Sequence, residues 1–425
     1  MSIFVQIAAF CDPQLLPTIR SLLENAVAPD QITFGIARQF NAEDQFDDLT
    51  TLQAYAANPA CFRVINIPYT ESLGVCWARH QVQQLYAGET YTLQIDSHMR
   101  FAPGWDIELI TMVETLQQTG VRKPLLTAYV SSFDPEDDPA GRITEPWRMV
   151  FDKYTPEGCV LFLPETIPNW KLLTGPVPAR FYSAHFAFTV GQFSSEVQHN
   201  PAFYFHGEEI SIAARAYTHG YDLFHPHKVL VWHEYTRKGR VKHWDVDREW
   251  SKKNAHAHKL NRQLFNMLDL KLDLKLAEVQ AADPYGFGTV RSLRDYEHYT
   301  GLYFAKRAVQ QYTLDKKYPP NPAAPTEQAW LDSFTKQTSI TIPLALSQVP
   351  LDDYDFWVVA FSNANNETLH RTDADANEVR LLMEARPTTL NIQRSFLTEQ
   401  QVASWVVWPH SCSQGWCDKI TGKLR

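Results

Sequence analysis

The chain has no run of about 20 uninterrupted apolar residues, the length needed to cross a bilayer. Its opening segment, Ser2-Ile3-Phe4-Val5-Gln6-Ile7-Ala8-Ala9-Phe10, lacks the basic flank of a signal peptide. No membrane span is expected, and the expected location is the cytoplasm. Positive charge is not in excess either: 39 Lys and Arg stand against 48 Asp and Glu, a formal charge of -9. General affinity for nucleic acid or an anionic membrane would need a basic surface that these totals do not advertise. Cysteine is sparse, with six residues at 11, 61, 76, 159, 412 and 417, and shows neither disulfide-scaffold density nor a zinc-type CxxC. Reduced thiols are expected, a small loop closed by Cys412 and Cys417 being the alternative. Repeats, heptads and low-complexity tracts are absent. What is present is 425 residues, 44% apolar and 13% aromatic, long enough for at least one large core.

Short apolar runs alternate with helical patterns over the first 130 residues. Ile3 to Phe10, Ile32 to Ala37, Arg63 to Ile67 and Tyr91 to Ile95 read as strands; Gln14 to Asn25 and Gly74 to Tyr86 read as helices. This alternation predicts an α/β fold: a mostly parallel, Rossmann-like sheet flanked by helices, whose ligands sit beyond the C-terminal strand ends. Frequent prolines between 131 and 180 predict loops and edge strands covering the site. Regular order returns with a strand at Phe186 to Val190, a helix at Glu208 to Thr218 and a strand at Val229 to Trp232. A polar helix over about 247 to 280 follows, with Leu264, Leu268, Leu272 and Leu276 as its packing stripe. The expected organisation is a large first domain over 1–312, including a helical extension over 247–312, a Pro/Ala linker over 313–329, and a small β-rich domain over 330–425. Its strand-like runs are Ile340 to Leu346, Phe356 to Phe361, Val379 to Met383 and Trp405 to Trp408.

Leu93-Gln94-Ile95-Asp96-Ser97-His98 is the strongest local signal. A carboxylate and an imidazole two residues apart in extended chain point to one side, so Asp96 and His98 can hold one divalent ion, Mn²⁺ or Mg²⁺. The alternative is a strand-end Asp capping a turn beside a satisfied histidine. Eight of the fifteen histidines fall between His185 and His243. Glu208 and Glu209 open a helix, where an acidic pair is electrostatically ordinary and also a catalytic candidate. His233 ends an apolar strand much as Asp96 does, which makes it the candidate third ligand. His243 and Trp244 follow the basic stretch Arg237-Lys238-Gly239-Arg240, readable as a mobile loop that closes over a bound phosphate or as a solvated charge run.

The string Gln94-Ile95-Asp96-Ser97-His98-Met99-Arg100-Phe101-Ala102-Pro103-Gly104-Trp105-Asp106 resembles the N-acetylglucosaminyltransferases that act on hydroxyproline in a ubiquitin-ligase adaptor. So do His206-Gly207-Glu208-Glu209, Arg215 to Asp222, Trp232-His233-Glu234-Tyr235, Tyr285-Gly286-Phe287-Gly288 and Arg291 to Glu297. The similarity runs from the first strand to about residue 312. More remotely, the order D-x-H, G-E-[EN] and strand-tip His is similar to the mucin-type polypeptide GalNAc-transferases. The resemblance implies a retaining enzyme of the GT-A fold, with Asp96, His98 and His233 holding Mn²⁺ against the diphosphate of UDP-GlcNAc. It puts Glu208 against donor-sugar hydroxyls, Arg79 against donor or phosphate, and Phe10 and Asp12 beside the uracil, with Arg38 a further donor-binding candidate. Arg79 as a surface residue and Phe10 as ordinary core are the alternatives.

The expected activity is transfer of N-acetylglucosamine to a hydroxyl of a protein or a glycan. Another donor, UDP-GalNAc or UDP-glucose, is the nearest alternative, and a silent carbohydrate-binding or scaffolding protein is the more distant one. The last hundred residues fall outside the resemblance. There Trp405, Trp408 and Trp416 are readable as a carbohydrate platform or as core packing.

Overall fold

The first apolar run forms β1 (Ile3–Phe10), buried along nearly all its length because helices cover both of its faces. The computed structural model describes residues 1–44, 61–155, 157–267, 284–384 and 388–424. After β1 come α1 (Leu15–Asn25), β2 (Ile32–Phe40), β3 (Phe62–Pro68), α2 (Val75–Gln83) and β4 (Tyr91–Asp96). β3, β2, β1 and β4 lie side by side in parallel. Next are β5 (Met99–Phe101) and α3 (Trp105–Gln118). Ile3, Val5 and Ile7 pack with Leu15, Ile19 and Leu22 of α1 and with Leu109 and Val113 of α3. On the other face Phe4 meets Ala78 and Val82 of α2.

The chain continues through β6 (Lys123–Thr127), β7 (Ser131–Ser132), β8 (Trp147–Tyr154), β9 (Val160–Thr166), β10 (Val177–Pro178) and β11 (Phe186–Val190). α4 (Phe193–Glu196), α5 (Glu208–Thr218), β12 (Tyr221–His225) and β13 (Val231–His233) follow. The main sheet runs β10-β12-β6-β11-β4-β1-β2-β3. β11 is antiparallel to both β4 and β6, so the sheet is mixed, and the α/β fold class expected from the sequence is present. A second sheet, β5-β13-β7, stands beyond the C-terminal end of β4. Between 131 and 180 the structure is more regular than the prolines suggested: β8 and β9 form a two-stranded sheet, and Pro164 is tolerated in β9 because its missing N–H costs no central ladder bond.

α6 (His243–Val246) precedes the expected polar helix, and α7 (Trp250–Leu264) occupies its start. Leu264 ends α7, whereas Leu268, Leu272 and Leu276 lie outside the described residues. No described helix is long and apolar enough to cross a membrane.

Two compact units divide the chain: Met1–Asp152, Glu157–Ala305 and Tyr312–Ala324 in the first, Lys153–Pro156, Lys306–Gln311 and Pro325–Arg425 in the second. The front of the Pro/Ala segment is anchored in the first unit, since Arg180 Nη2 donates to Asn321 Oδ1 at 2.6 Å and Asn321 Nδ2 to Thr313 Oγ1 at 2.9 Å. The second unit has its own core of Ile342, Trp357, Val359, Phe361, Ile392 and Val407. One reading there is corrected: Val379 to Met383 lies in a helix, Ala376–Glu384, not a strand. Val379, Leu382 and Met383 are spaced i, i+3, i+4 and meet that core from one helical face, and Asp375 Oδ1 accepts the Glu378 N–H at 2.9 Å. Cys412 and Cys417 are both free thiols.

Candidate active site

β4 delivers Asp96 to the C-terminal edge of the main sheet, and Ser97-His98 carries the chain directly into β5. β13 runs antiparallel to β5 with His233 opposite Met99, so His233 and His98 become neighbours although 135 positions separate them in sequence. Their rings are 4.7 Å apart. His233 Nε2 lies 3.3 Å and His98 Nε2 3.6 Å from Asp96 Oδ2. One ligating atom from each of Asp96, His98 and His233 falls within 4.8 Å of the others, forming the metal-capable group among the described residues.

The protonation states suit a divalent ion. Burial pushes His233 down to about 4 despite the pull of Asp96, so its imidazole is neutral at physiological pH. Burial acts against ionisation of Asp96 as well, but Arg79, His233 and His98 together outweigh it and hold the carboxyl well below the usual range. His98 Nδ1 lies 2.7 Å from Asp12 Oδ2 and is also met by Arg240 Nη1, while Nε2 faces Asp96; with the ring proton on Nδ1, Nε2 carries the lone pair. A carboxylate behind a ligating imidazole fixes its tautomer and raises its basicity. His233 has no such support: its Nδ1 is buried without a hydrogen-bond partner. One carboxylate oxygen and two imidazole nitrogens make a borderline-hard donor set that fits Mn²⁺.

Asp12 is the residue whose setting departs most from its expected place beside uracil. It is 4% exposed, and both of its oxygens are engaged. Oδ1 accepts Gln14 N at 2.9 Å, and Oδ2 accepts Ser97 Oγ, His98 Nδ1 and Arg240 Nη1 at 2.7, 2.7 and 3.3 Å. No free edge remains to meet a base. Arg240 also donates to Glu234 Oε2 at 2.6 Å. In this structure, therefore, the end of the basic stretch is folded onto acidic partners at the back of His98.

Arg79 is not a surface residue. It is 6% exposed, and its fork joins two carboxylates: Nη2 donates to Asp96 Oδ1 at 2.6 Å, and Nη1 to both oxygens of Glu208 at 2.8 Å. Burial opposes ionisation of Glu208, yet Arg79 and His199 bring it down to about 2. His199 Nδ1 lies 2.7 Å from Glu208 Oε1, and its Nε2 meets Gln94 Oε1 at 2.6 Å. Glu209 sits in a different field. Burial pushes it up to about 7, while Oε1 accepts Ala184 N at 3.0 Å and Oε2 accepts Tyr129 Oη at 2.7 Å.

Arg79, Asp96, Glu208, Glu209 and His233 line one cleft of about 340 Å³, together with Tyr129, His185 and Tyr235. His185 stacks between Tyr129 and His233, with ring centroids at 5.2 and 4.4 Å. Its Nε2 accepts Val130 N at 3.2 Å, so the ring proton is on Nδ1. Phe10 and His243 belong to a separate aromatic cluster at the end of β1. The His243 ring is 5.0 Å from Phe10 and 5.4 Å from Tyr204, with Nδ1 accepting Tyr204 Oη at 2.7 Å and Nε2 donating to Ser72 O at 3.2 Å. Arg38 turns to Asn66 Oδ1 and the Phe40 ring, away from the metal-capable group. Sequence reasoning missed Tyr129, His185, His199 and Tyr235. Only the histidine density signalled two of them.

A family model described as Glycosyltransferase (GlcNAc) matches residues 2–62 and 50–306. Among solved structures, GalNAc-T7 with UDP, GalNAc and Mn²⁺ aligns at 14% identity and a TM-score of 0.45, over 70% of this chain and 54% of that one. The chain thus spans about half the length of that protein. TarS of S. aureus aligns over 100% of this chain and 77% of its own, at 10% identity and a TM-score of 0.36. No curated protein sequence matches. Since the matched residues carry the main sheet, Asp96, His98, Glu208 and His233 alike, the chain belongs to the Glycosyltransferase (GlcNAc) family.

Proposed function

We propose that this protein is a retaining, metal-dependent transferase moving N-acetylglucosamine from UDP-GlcNAc to a hydroxyl of a protein, hydroxyproline-like, or of a glycan, in the cytoplasm. The observation that carries the reading is the convergence of Asp96, His98 and His233, two of which, Asp96 and His233, line the cleft that also holds Arg79 and Glu208. When bound there, a divalent ion supplies positive charge to a diphosphate leaving group. Arg79 keeps Asp96 ionised and oriented, and Asp12 keeps the His98 lone pair available. Phe10 and His243, at the C-terminal end of β1, are assigned to the nucleotide side, since ligands of such sheets bind beyond the strand ends. Arg38 is the weakest of the donor-binding candidates, its side chain being turned elsewhere.

Two features favour front-side transfer over a carboxylate nucleophile. Both oxygens of Glu208 accept from Arg79, which lowers its basicity and leaves it suited to accepting sugar hydroxyls. Glu209 is largely protonated below pH 7 and accepts at both oxygens, so it is a poor nucleophile too. The acceptor proton then goes to the departing phosphate oxygen, on the face where the new bond forms.

Hydrolysis of a panel of UDP-sugars with and without Mn²⁺, in wild type and in His98→Ala and His233→Ala, tests the proposal. Metal-dependent turnover favouring UDP-GlcNAc, lost in both variants, is expected. Preference for UDP-GalNAc or UDP-glucose overturns the donor, and absence of both turnover and donor binding overturns the enzyme.

A further inference from the structure

The second unit carries an aromatic cluster that the reaction above does not use. Here β14 (Leu302–Tyr303) ends the first unit's strands, and β15 (Ala308–Gln310), β16 (Phe334–Ala345), β17 (Tyr354–Ser362), β18 (Thr368–Arg371), β19 (Ala374–Asp375), β20 (Thr389–Leu397), β21 (Ser404–Ser411), β22 (Gly415–Trp416) and β23 (Ile420–Lys423) follow. Successive residues of a strand face opposite sides of the sheet. Trp357, Val359 and Phe361 of β17 and Val407 of β21 face the core, and Trp405 packs against it from the same side. Phe356, Trp408 and His410 therefore share the other face. In register, Phe356 lies opposite His410, and β22 brings Trp416 opposite His410 as well. The three tryptophans considered together from sequence are thus divided by the pleat: Trp405 is packing, while Trp408 and Trp416 are a pair on the outer side.

That pair is held in place. The two rings lie 4.1 Å apart at 32°, and Trp408 Nε1 donates to Cys417 O at 2.9 Å. Phe356 and His410 meet Trp416 near perpendicular, at 5.5 and 4.9 Å, and His410 Nδ1 donates to Asp355 at 2.8 Å. Lys419 Nζ stands 4.1 Å from the Trp408 ring centroid. Trp416 nevertheless remains 49% exposed. A large ring fixed by its neighbours and left half in water is a preorganised apolar surface, because the entropy of ordering it has already been spent in folding.

The surroundings decide what fits. Asp355 and His410, paired with each other, and Lys419 rim the rings, so a flat apolar protein surface seated here would desolvate that pair and the Lys419 ammonium without replacing their water. A pyranose of glucose configuration has the opposite makeup: its axial C–H bonds form an apolar face, and its equatorial hydroxyls radiate in the ring plane toward just such a rim. We propose that Trp416, backed by Trp408 and rimmed by Asp355 and Lys419, is a saccharide-binding site that takes a gluco-configured unit of a glycan. It is separate from the donor cleft and rests on ring chemistry alone, so it stands or falls independently of the donor assignment.

Saturation-transfer NMR on the full chain with chitotriose tests it. Saturation is expected on the axial ring protons of the sugar, with a dissociation constant on the order of 1 mM, and Trp416→Ala should weaken binding about tenfold while the thermal unfolding curve is retained. Trp416→Phe, which keeps a ring, should bind within about threefold of wild type. Because truncation can unfold so small a strand, a variant-free measurement accompanies it: chitotriose should protect Trp416 from oxidation by N-bromosuccinimide, mapped by peptide mass. No saturation transfer with wild type, unaltered binding in a folded Trp416→Ala, or no protection of Trp416 overturns the proposal.

Discussion

Asp12 Oδ2 lies 2.7 Å from His98 Nδ1, although 86 positions separate them and neither is on the other's element. With the ring proton on Nδ1, this pairing commits the Nε2 lone pair forward, as a metal ligand requires. The Asp12 carboxyl is itself held below its usual range, burial being outweighed by His98 and Arg240. Asp12→Asn keeps the shape and removes the charge. Mn²⁺ affinity, measured by the EPR signal of free ion, should fall by roughly 10- to 100-fold, as it does when outer partners of ligating histidines are lost. Equal affinity in wild type and variant would sink the positioning role.

How much of this was legible from sequence depends on range. β1, α5 and the run into Asp96 were readable because their signals are local: apolar runs bounded by turn residues, and helical spacing after Gly207. Asp96 and His98 were readable as a pair because strand geometry alone puts them on one side. His233 needed only its position at a strand tip. Contacts from Asp12 to His98 and from Arg79 to Glu208 span 86 and 129 positions, and no local pattern encodes them. They follow from β1 lying beside β4 and from the main sheet bringing Arg79 of α2 to the first residue of α5, which is tertiary information. The segment Val379 to Met383 shows the converse limit, since a short apolar stretch fits either period until its neighbours choose.

Arg79 tests the same logic from the charge side. Its guanidinium is the counter-ion of buried Glu208 and half-buried Asp96, and removing one partner of such a group leaves the others uncompensated. Arg79→Ala should cost about 3 to 5 kcal/mol in urea unfolding. Arg79→Lys should recover part of the stability but not Mn²⁺ affinity, because one ammonium cannot reproduce a fork spanning Asp96 and Glu208. Arg79→Ala within 1 kcal/mol of wild type, a difference of about fivefold in the folding equilibrium, would contradict the arrangement.

Gly207 sets where α5 begins. It has φ +88°, a conformation costly for any residue with a Cβ, and that Cβ would lie 3.0 Å from Asn261 Oδ1. Asn261 is fully buried and donates to Gly158 O at 3.2 Å, so it has little room to withdraw. Gly207→Ala should lower stability by about 1 to 2 kcal/mol, read as a drop in Tm, and should weaken donor binding through its neighbour Glu208. An unchanged Tm would show that the local backbone relaxes.

Glu209 ties stability to pH with a definite sign. Folded, burial pushes it up to about 7; unfolded, it titrates at the ordinary 4.5. Between those values the folded chain holds a proton that the unfolded chain has released, so stability falls as pH rises through the window and is level on either side. The loss is at most about 3 kcal/mol, the free-energy equivalent of the shift. Glu209→Gln cannot ionise, and its amide can still accept Ala184 N–H and meet Tyr129 Oη. The difference in unfolding free energy, variant minus wild type, should therefore climb in the variant's favour from pH 4.5 to pH 7 and stay constant above it. A difference that is flat across the window would mean that Glu209 is ionised at its ordinary pH in the folded chain, and the argument against it as a nucleophile would lose its electrostatic half.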